Sequence, residues 1–159
     1  MKSPVFLMAA LALSLPLSTL AAESAHHDHG DVPTKIELNA GKKWASDESL
    51  RTAMSAMQQQ IRKALPAAHH GKLSAADYQA LGADLTKQVT YIVQNCKLEP
   101  KADAQLHVLI AQIGQGIEAI EGKEGDGHRA DGVVKVAQAL NSYGKHFEHA
   151  GWKAVKLPA

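Results

Sequence analysis

The sequence predicts an all-α protein, an up-down-up-down antiparallel four-helix bundle with a mobile N-terminal arm. Apolar residues recur at helical spacing in four stretches of similar length. Short links carrying Gly, Pro and charged residues separate those stretches. No segment alternates apolar and polar residues as a half-buried strand would. Helices of matched length on short links pack as alternating neighbours. Three helices, or a dimeric arrangement, are the alternatives.

The chain opens on a leader. Lys2 supplies a positive start, and Val5 to Leu15 is an apolar run broken by Pro16. A bilayer-spanning helix needs roughly 20 apolar residues, and this run is shorter. Thr19-Leu20-Ala21-Ala22 offers small residues to a signal peptidase. Residues 1–22 therefore read as a cleaved export signal and place the mature chain in the periplasm. No later run is long enough to span, so no membrane association of the mature form is expected. Residues 23–45 read as a flexible arm containing Gly30, Pro33 and Gly41, with Trp44 docking on the body.

The first helix is expected from Ser46 to Leu65. Ser46 would cap it, with Asp47 and Glu48 in the first turn. Leu50, Ala53, Met54, Met57, Ile61 and Leu65 form its stripe, and Pro66 and Gly71 would stop it. The second opens at Ser74-Ala75-Ala76-Asp77, close to a capping box, and runs to Cys96. The third opens at Glu99-Pro100, where proline suits a helix start. Its stripe runs from Leu106 to Ile120, and Gly114 and Gly116 point to close helix contact. After the link 122–127, the fourth is expected from His128 to Ala150, with Val133, Ala137, Leu140, Tyr143 and Phe147 inward. The bundle thus spans 46–152, and 153–159 is a tail.

Net charge is +1 and no Lys/Arg run interleaves with aromatics, so nucleic acid is not an expected partner. Cys96 is the sole cysteine, which excludes an intrachain disulfide. A lone thiol in an oxidising compartment is buried, ligating or paired between chains.

All nine histidines lie downstream of the leader. His26, His27 and His29, with Asp28, need no fold to converge on a transition-metal ion. Alternating helix direction gathers further ligand types at one end. At about 1.5 Å rise per residue, Met54, His107 and Tyr143 share a depth. His146 and His149 lie nearer that end, and Cys96 is almost at its rim. Thioether and thiolate suit Cu(I), and imidazole suits Cu or Zn. Asp103 is four residues before His107 and can orient its ring on one helix face; Tyr143 is the other supporting residue. Each ligand has a competing role. Met54 and Met57 lie on the core stripe. His107 borders its own. His146 and His149 sit near a helix C-terminus, where the dipole favours a charged imidazole. His69-His70 is expected in a solvated loop and His128 at the surface.

Residues 46–150 resemble the periplasmic cytochrome b562 and cytochrome c′ group. Leu50-Arg51-Thr52-Ala53-Met54 is similar to the b562 first helix, where a methionine is an axial haem ligand. Asn141-Ser142-Tyr143 resembles the segment preceding the b562 ligand histidine, but the next residue here is Gly144. Covalent haem c is excluded, because no Cys-x-x-Cys-His is present. Noncovalent haem b would need His107 or His146 as second ligand. Residues 95–107, together with Phe147-Glu148-His149-Ala150-Gly151-Trp152, look like an uncharacterised set of haem-free periplasmic relatives.

The resulting expectation is a periplasmic bundle that binds Cu or Zn for storage, transfer or sensing. A noncovalent haem electron carrier and a cofactor-free structural or partner-binding bundle are the alternatives. The metal ion, a periplasmic protein and a second copy of the chain are the partners considered. No enzyme is expected, because no nucleophile elbow, phosphate loop or HExxH occurs.

Overall fold

The computed structural model describes residues 35–158. Four helices dominate them: α1 (Glu48–His69), α2 (Ala75–Asn95), α3 (Pro100–Ile120) and α4 (Arg129–His146). A single 3₁₀ turn, Asp126–His128, leads into α4. No strand occurs among the described residues; two isolated bridges, Asn39–Lys42 and Trp44–Phe147, are the only extended pairings there. The helices pack α1 on α2, α2 on α3, α3 on α4 and α4 back on α1, a four-helix bundle. None of the described helices is long and apolar enough to cross a membrane.

The expected stripes form the core. Leu50, Ala53, Met54, Met57 and Ile61 are fully buried, as are Leu85 on α2, Leu109, Ile113 and Ile120 on α3, and Val133, Ala137, Leu140, Tyr143 and Phe147 on and just beyond α4. Burying each large apolar side chain contributes about 1.5–3 kcal/mol. The α3–α4 seam is the tightest. A Cβ on Gly132 would sit 2.6 Å from the Gly116 carbonyl oxygen and 2.6 Å from the Ile120 nitrogen. A Cβ on Gly116 would meet the Val136 Cγ2 methyl at 2.6 Å and backbone atoms at 3.1 Å. Gly114, expected to share this role, has open space where a Cβ would go.

Helix ends differ from expectation where local chemistry decides them. Asp47, not Ser46, caps α1, its carboxylate accepting from the Leu50 N–H at 2.7 Å. The second Asp47 oxygen accepts from Lys97 N–H at 2.7 Å, so one side chain ties α1 to the end of α2. Pro66 does not stop α1. The helix runs on to His69, although proline forfeits one backbone bond. The stop falls at Gly71, φ +62°. There Lys72 N–H reaches the Ala67 carbonyl and Gly71 N–H reaches the Ala68 carbonyl, the paired closure a left-handed glycine permits. His69 is thus helical and His70 its cap, rather than both lying in a loop. Ser74 and Asp77 form a complete capping box on α2. That contact holds the Asp77 carboxyl below its ordinary value, mainly through the Ser74 hydroxyl.

The expected end of α4 at Ala150 is corrected to His146. The cause is Trp44. Its N–H donates to the His146 carbonyl and its carbonyl accepts from Glu148 N–H, drawing Phe147 into extended backbone. Residues 35–45, assigned to the arm by sequence, are docked along the bundle. Glu37 N–H donates to the buried Gln105 side chain, Lys43 reaches the Gly144 carbonyl, and the Trp44 indole N–H bonds the Glu37 carbonyl. The C-terminal segment is docked as well. Val155 is buried and exchanges two hydrogen bonds with the Asn141 side chain. Arg62 and Gln58 hold the Lys153 carbonyl.

Candidate functional site

The ligand-type residues expected at one end take separate positions. His26, His27 and His29 lie outside the described residues. Met54 is fully buried within the apolar core. Cys96 is the cap of α2 and only partly exposed. Burial, reinforced by the Asp47 and Asp103 carboxylates, pushes its thiol up to about 12. At neutral pH and without metal it is therefore a thiol, not the thiolate that attacks electrophiles. Alkylation of Cys96 by iodoacetamide at pH 8 is expected to be at least about a hundredfold slower than that of free cysteine. A rate equal to free cysteine would contradict this placement.

His107 stands out on α3 with its side chain 65% exposed. Its Nδ1 lies 2.9 Å from the Asp103 carbonyl oxygen and 3.3 Å from the Asp103 carboxylate. A carbonyl can only accept, so Nδ1 carries a proton and Nε2 is the nitrogen left to bind an ion. His146 repeats the pattern, with Nδ1 2.8 Å from the Ser142 carbonyl oxygen. His146 and His149 are three apart in sequence, but the helix ends between them, so that spacing does not put them on one face. Among the described residues, no three His, Cys, Asp or Glu side chains converge on a common point. His128 is exposed and lies 3.5 Å from Asp131. The His69 and His70 rings are 5.2 Å apart at the end of α1.

His149 differs from the others because both ring nitrogens have partners. Nδ1 is 2.9 Å from the Tyr143 hydroxyl and Nε2 is 3.3 Å from Ser55 Oγ. The ring meets Tyr143 edge-on and Trp152 at 4.9 Å. Burial, and then the Arg51 cation, lower its pKa below the ordinary 6.5. Protonating it therefore costs stability. That contribution is complete above pH 6.5 and is lost as pH falls through the depressed value.

Tyr143 is the centre of this end. It is fully buried, stacked on Phe147 at 5.5 Å and met edge-on by Trp152 at 4.9 Å. Burial raises its pKa far above the ordinary 10, so the hydroxyl stays protonated. Ser46, beside it, donates its hydroxyl to the Glu148 carbonyl. Outside this cluster an open groove of about 760 Å³ is lined by Ser46, Glu48, Arg51, Thr52, Ser55 and His149.

Sequence reasoning selected Tyr143 and His149 but missed Ser55, Arg51, Ser46 and Trp152. Ser55 lies on the polar face of α1, where nothing in the pattern marks it. Trp152 follows Gly151, φ +77°, and that turn folds the indole back over α4. The turn signal was legible; its target was not.

The b562 resemblance can be tested against these contacts. A haem between the helices would need Met54 facing a cavity with His107 or His146 opposite, or a histidine at the family's position, here Gly144. Met54 is packed in the core, and a Cβ on Gly144 would lie 2.2 Å from the Trp152 indole. Tyr143, Phe147 and Trp152 fill the volume instead. The residues present do not fit haem. No protein-family model, no curated protein and no solved structure matches the chain.

Proposed function

We propose that this chain is a periplasmic helical bundle that binds Cu or Zn through outward-facing imidazoles, for storage, transfer or sensing. The metal-binding step involves no catalysis. The leader 1–22 exports the chain, and the segment 23–34 carries His26, His27 and His29 as the capture element. His107 and His146 on the bundle are the fixed contacts.

An up-down-up-down course puts the two fixed contacts at one end of the bundle. It is supported by the order of helix neighbours and by links across the ends. Asp47 at the start of α1 holds Lys97 at the end of α2, and Gln79 early in α2 holds Glu121 at the end of α3. His107, early in α3, then belongs to the same end as His146, late in α4.

The observation that carries the reading is the pinned Nδ1 of His107. Metal-ligating imidazoles commonly donate one N–H to a carbonyl or carboxylate and offer the other nitrogen. His107 does so while largely exposed. The interior is left out of this reading: Met54 is sequestered and His149 is engaged at both nitrogens.

Calorimetric titration of the mature chain with Zn(II) and Cu(II) tests it. Deleting residues 23–34 is expected to weaken binding most. Adding His107→Ala to that deletion should weaken it at least about tenfold further. Full binding by an arm-deleted His107→Ala, His146→Ala variant would overturn the assignment.

A further inference from the structure

We propose that the groove between the end of α1 and the C-terminal segment binds a medium-chain fatty-acid anion. This goes beyond metal binding and uses different residues.

The C-terminal segment builds the groove. Gln58 and Arg62 on α1 hold the Lys153 carbonyl, and Arg62 also reaches the Ala154 carbonyl. Two residues on, the Asn141 side chain fixes both backbone polar groups of Val155. An opening of about 760 Å³ remains between this segment and the last turns of α1, a usual size for a small-molecule pocket. Its apolar part is made by Leu65, Pro66, Val155, Leu157 and Pro158. Leu65 and Val155 are buried, and Leu157 is half-buried against the core.

Charge selects the ligand. Every ionisable residue lining the groove is basic: Arg62, His69, His70, Lys153 and Lys156. Among the described residues, none of these five side chains pairs with a carboxylate. The last carbonyls of α1 do not supply the missing partner. Those of Pro66, Ala67 and Ala68 already accept from the His70, Lys72 and Gly71 N–H groups. The groove between α2 and α3 provides the contrast. It is also apolar, through Val89, Val93, Ile110 and Ile117, but Glu118 and Glu121 line it and would repel an anion.

An apolar lining beside unpaired cations suits a carboxylate head on a hydrocarbon tail. Burying the tail supplies affinity, and Lys153 and Lys156 favour the charged head over a neutral one. From Arg62 to His70, α1 rises about 12 Å, roughly the length of an extended ten-carbon chain.

Calorimetric titration of the mature chain with decanoate tests the proposal. Excess chelator separates it from the metal reading, and decanoate is kept below micelle formation. Saturable binding is expected. Decanol, which keeps the tail, should bind at least about tenfold more weakly, and acetate, which keeps the head, should give no measurable heat. Decanoate should shift the Leu65 and Val155 methyl resonances and leave those of Val89 and Val93 in place. Reversing both lysines, Lys153→Glu with Lys156→Glu, should weaken binding about tenfold or more, with helical circular dichroism retained. Equal affinity for decanol, undiminished binding by the double reversal, or shifts at Val89 and Val93 instead would each overturn the proposal. So would binding to anionic lipid vesicles with none to decanoate, which would make this face a membrane contact.

Discussion

Replacing Gly132 with alanine is expected to destabilise the bundle by about 3 kcal/mol. The added methyl has no flexible neighbour to displace. It would meet the Gly116 carbonyl and the Ile120 nitrogen, both backbone atoms, at 2.6 Å. Relief requires α3 and α4 to move apart, and Ile113, Ile117 and Val136 would lose contact along the seam. The urea midpoint should fall with an unchanged slope, as for a loss of stability without a change in the unfolded chain. Gly114→Ala is the internal control. Open space surrounds its Cβ, so the helix-propensity gain of roughly 0.5–1 kcal/mol should appear as stabilisation. Two glycines, two residues apart along one helix, are thus expected to be separated by opposite signs, since Gly116 shares the confinement of Gly132.

Installing a histidine at position 144 is the second large effect. The b562-like segment Asn141-Ser142-Tyr143 invites that change, since a ligand histidine follows it in the resembling family. Here the side chain would run into the Trp152 indole, 2.2 Å from its Cβ. Gly144→His is expected to expel Trp152 and cost about 3 kcal/mol or more, because an aromatic anchor loses its seat on Tyr143. Titrating the variant with haem should give no Soret band. A stable Gly144→His protein that binds haem would show that the interior can open, contrary to the packing described above.

Much of this fold was legible because it rests on local rules. The stripe from Leu50 to Leu65 fixed the buried face of α1 through 3.6-residue periodicity. Ser74-x-x-Asp77 and Pro100 marked helix starts through hydrogen-bond chemistry confined to four residues. The errors lay where distant segments decide. Pro66 reads as a stop, yet α1 continues because Leu65 and Ala68 are buried on either side and Gly71 supplies the closure. The last turn assigned to α4 is lost to pairing with Trp44, more than a hundred residues away.

The site divides in the same way. Asp103 and His107 share one helix and meet as their four-residue spacing suggests. Ser55, Tyr143 and His149 meet because Gly151 and Trp152 turn the chain back, and no periodicity encodes that. Matching residues by depth along the bundle also said nothing of azimuth. Met54 and His107 fall at similar computed depth, but one faces the core and the other solvent.

The proposed metal site uses imidazoles at the surface and not the inside of the bundle. Zn(II) titration of the mature chain, followed by imidazole and methyl resonances in one series of NMR spectra, tests it most directly. The His107 ring and the arm histidines are expected to shift together while the Met54 methyl stays fixed. Shifts of Met54 and the Cys96 β-carbon with an unperturbed His107 ring would place the ion in the interior and contradict it.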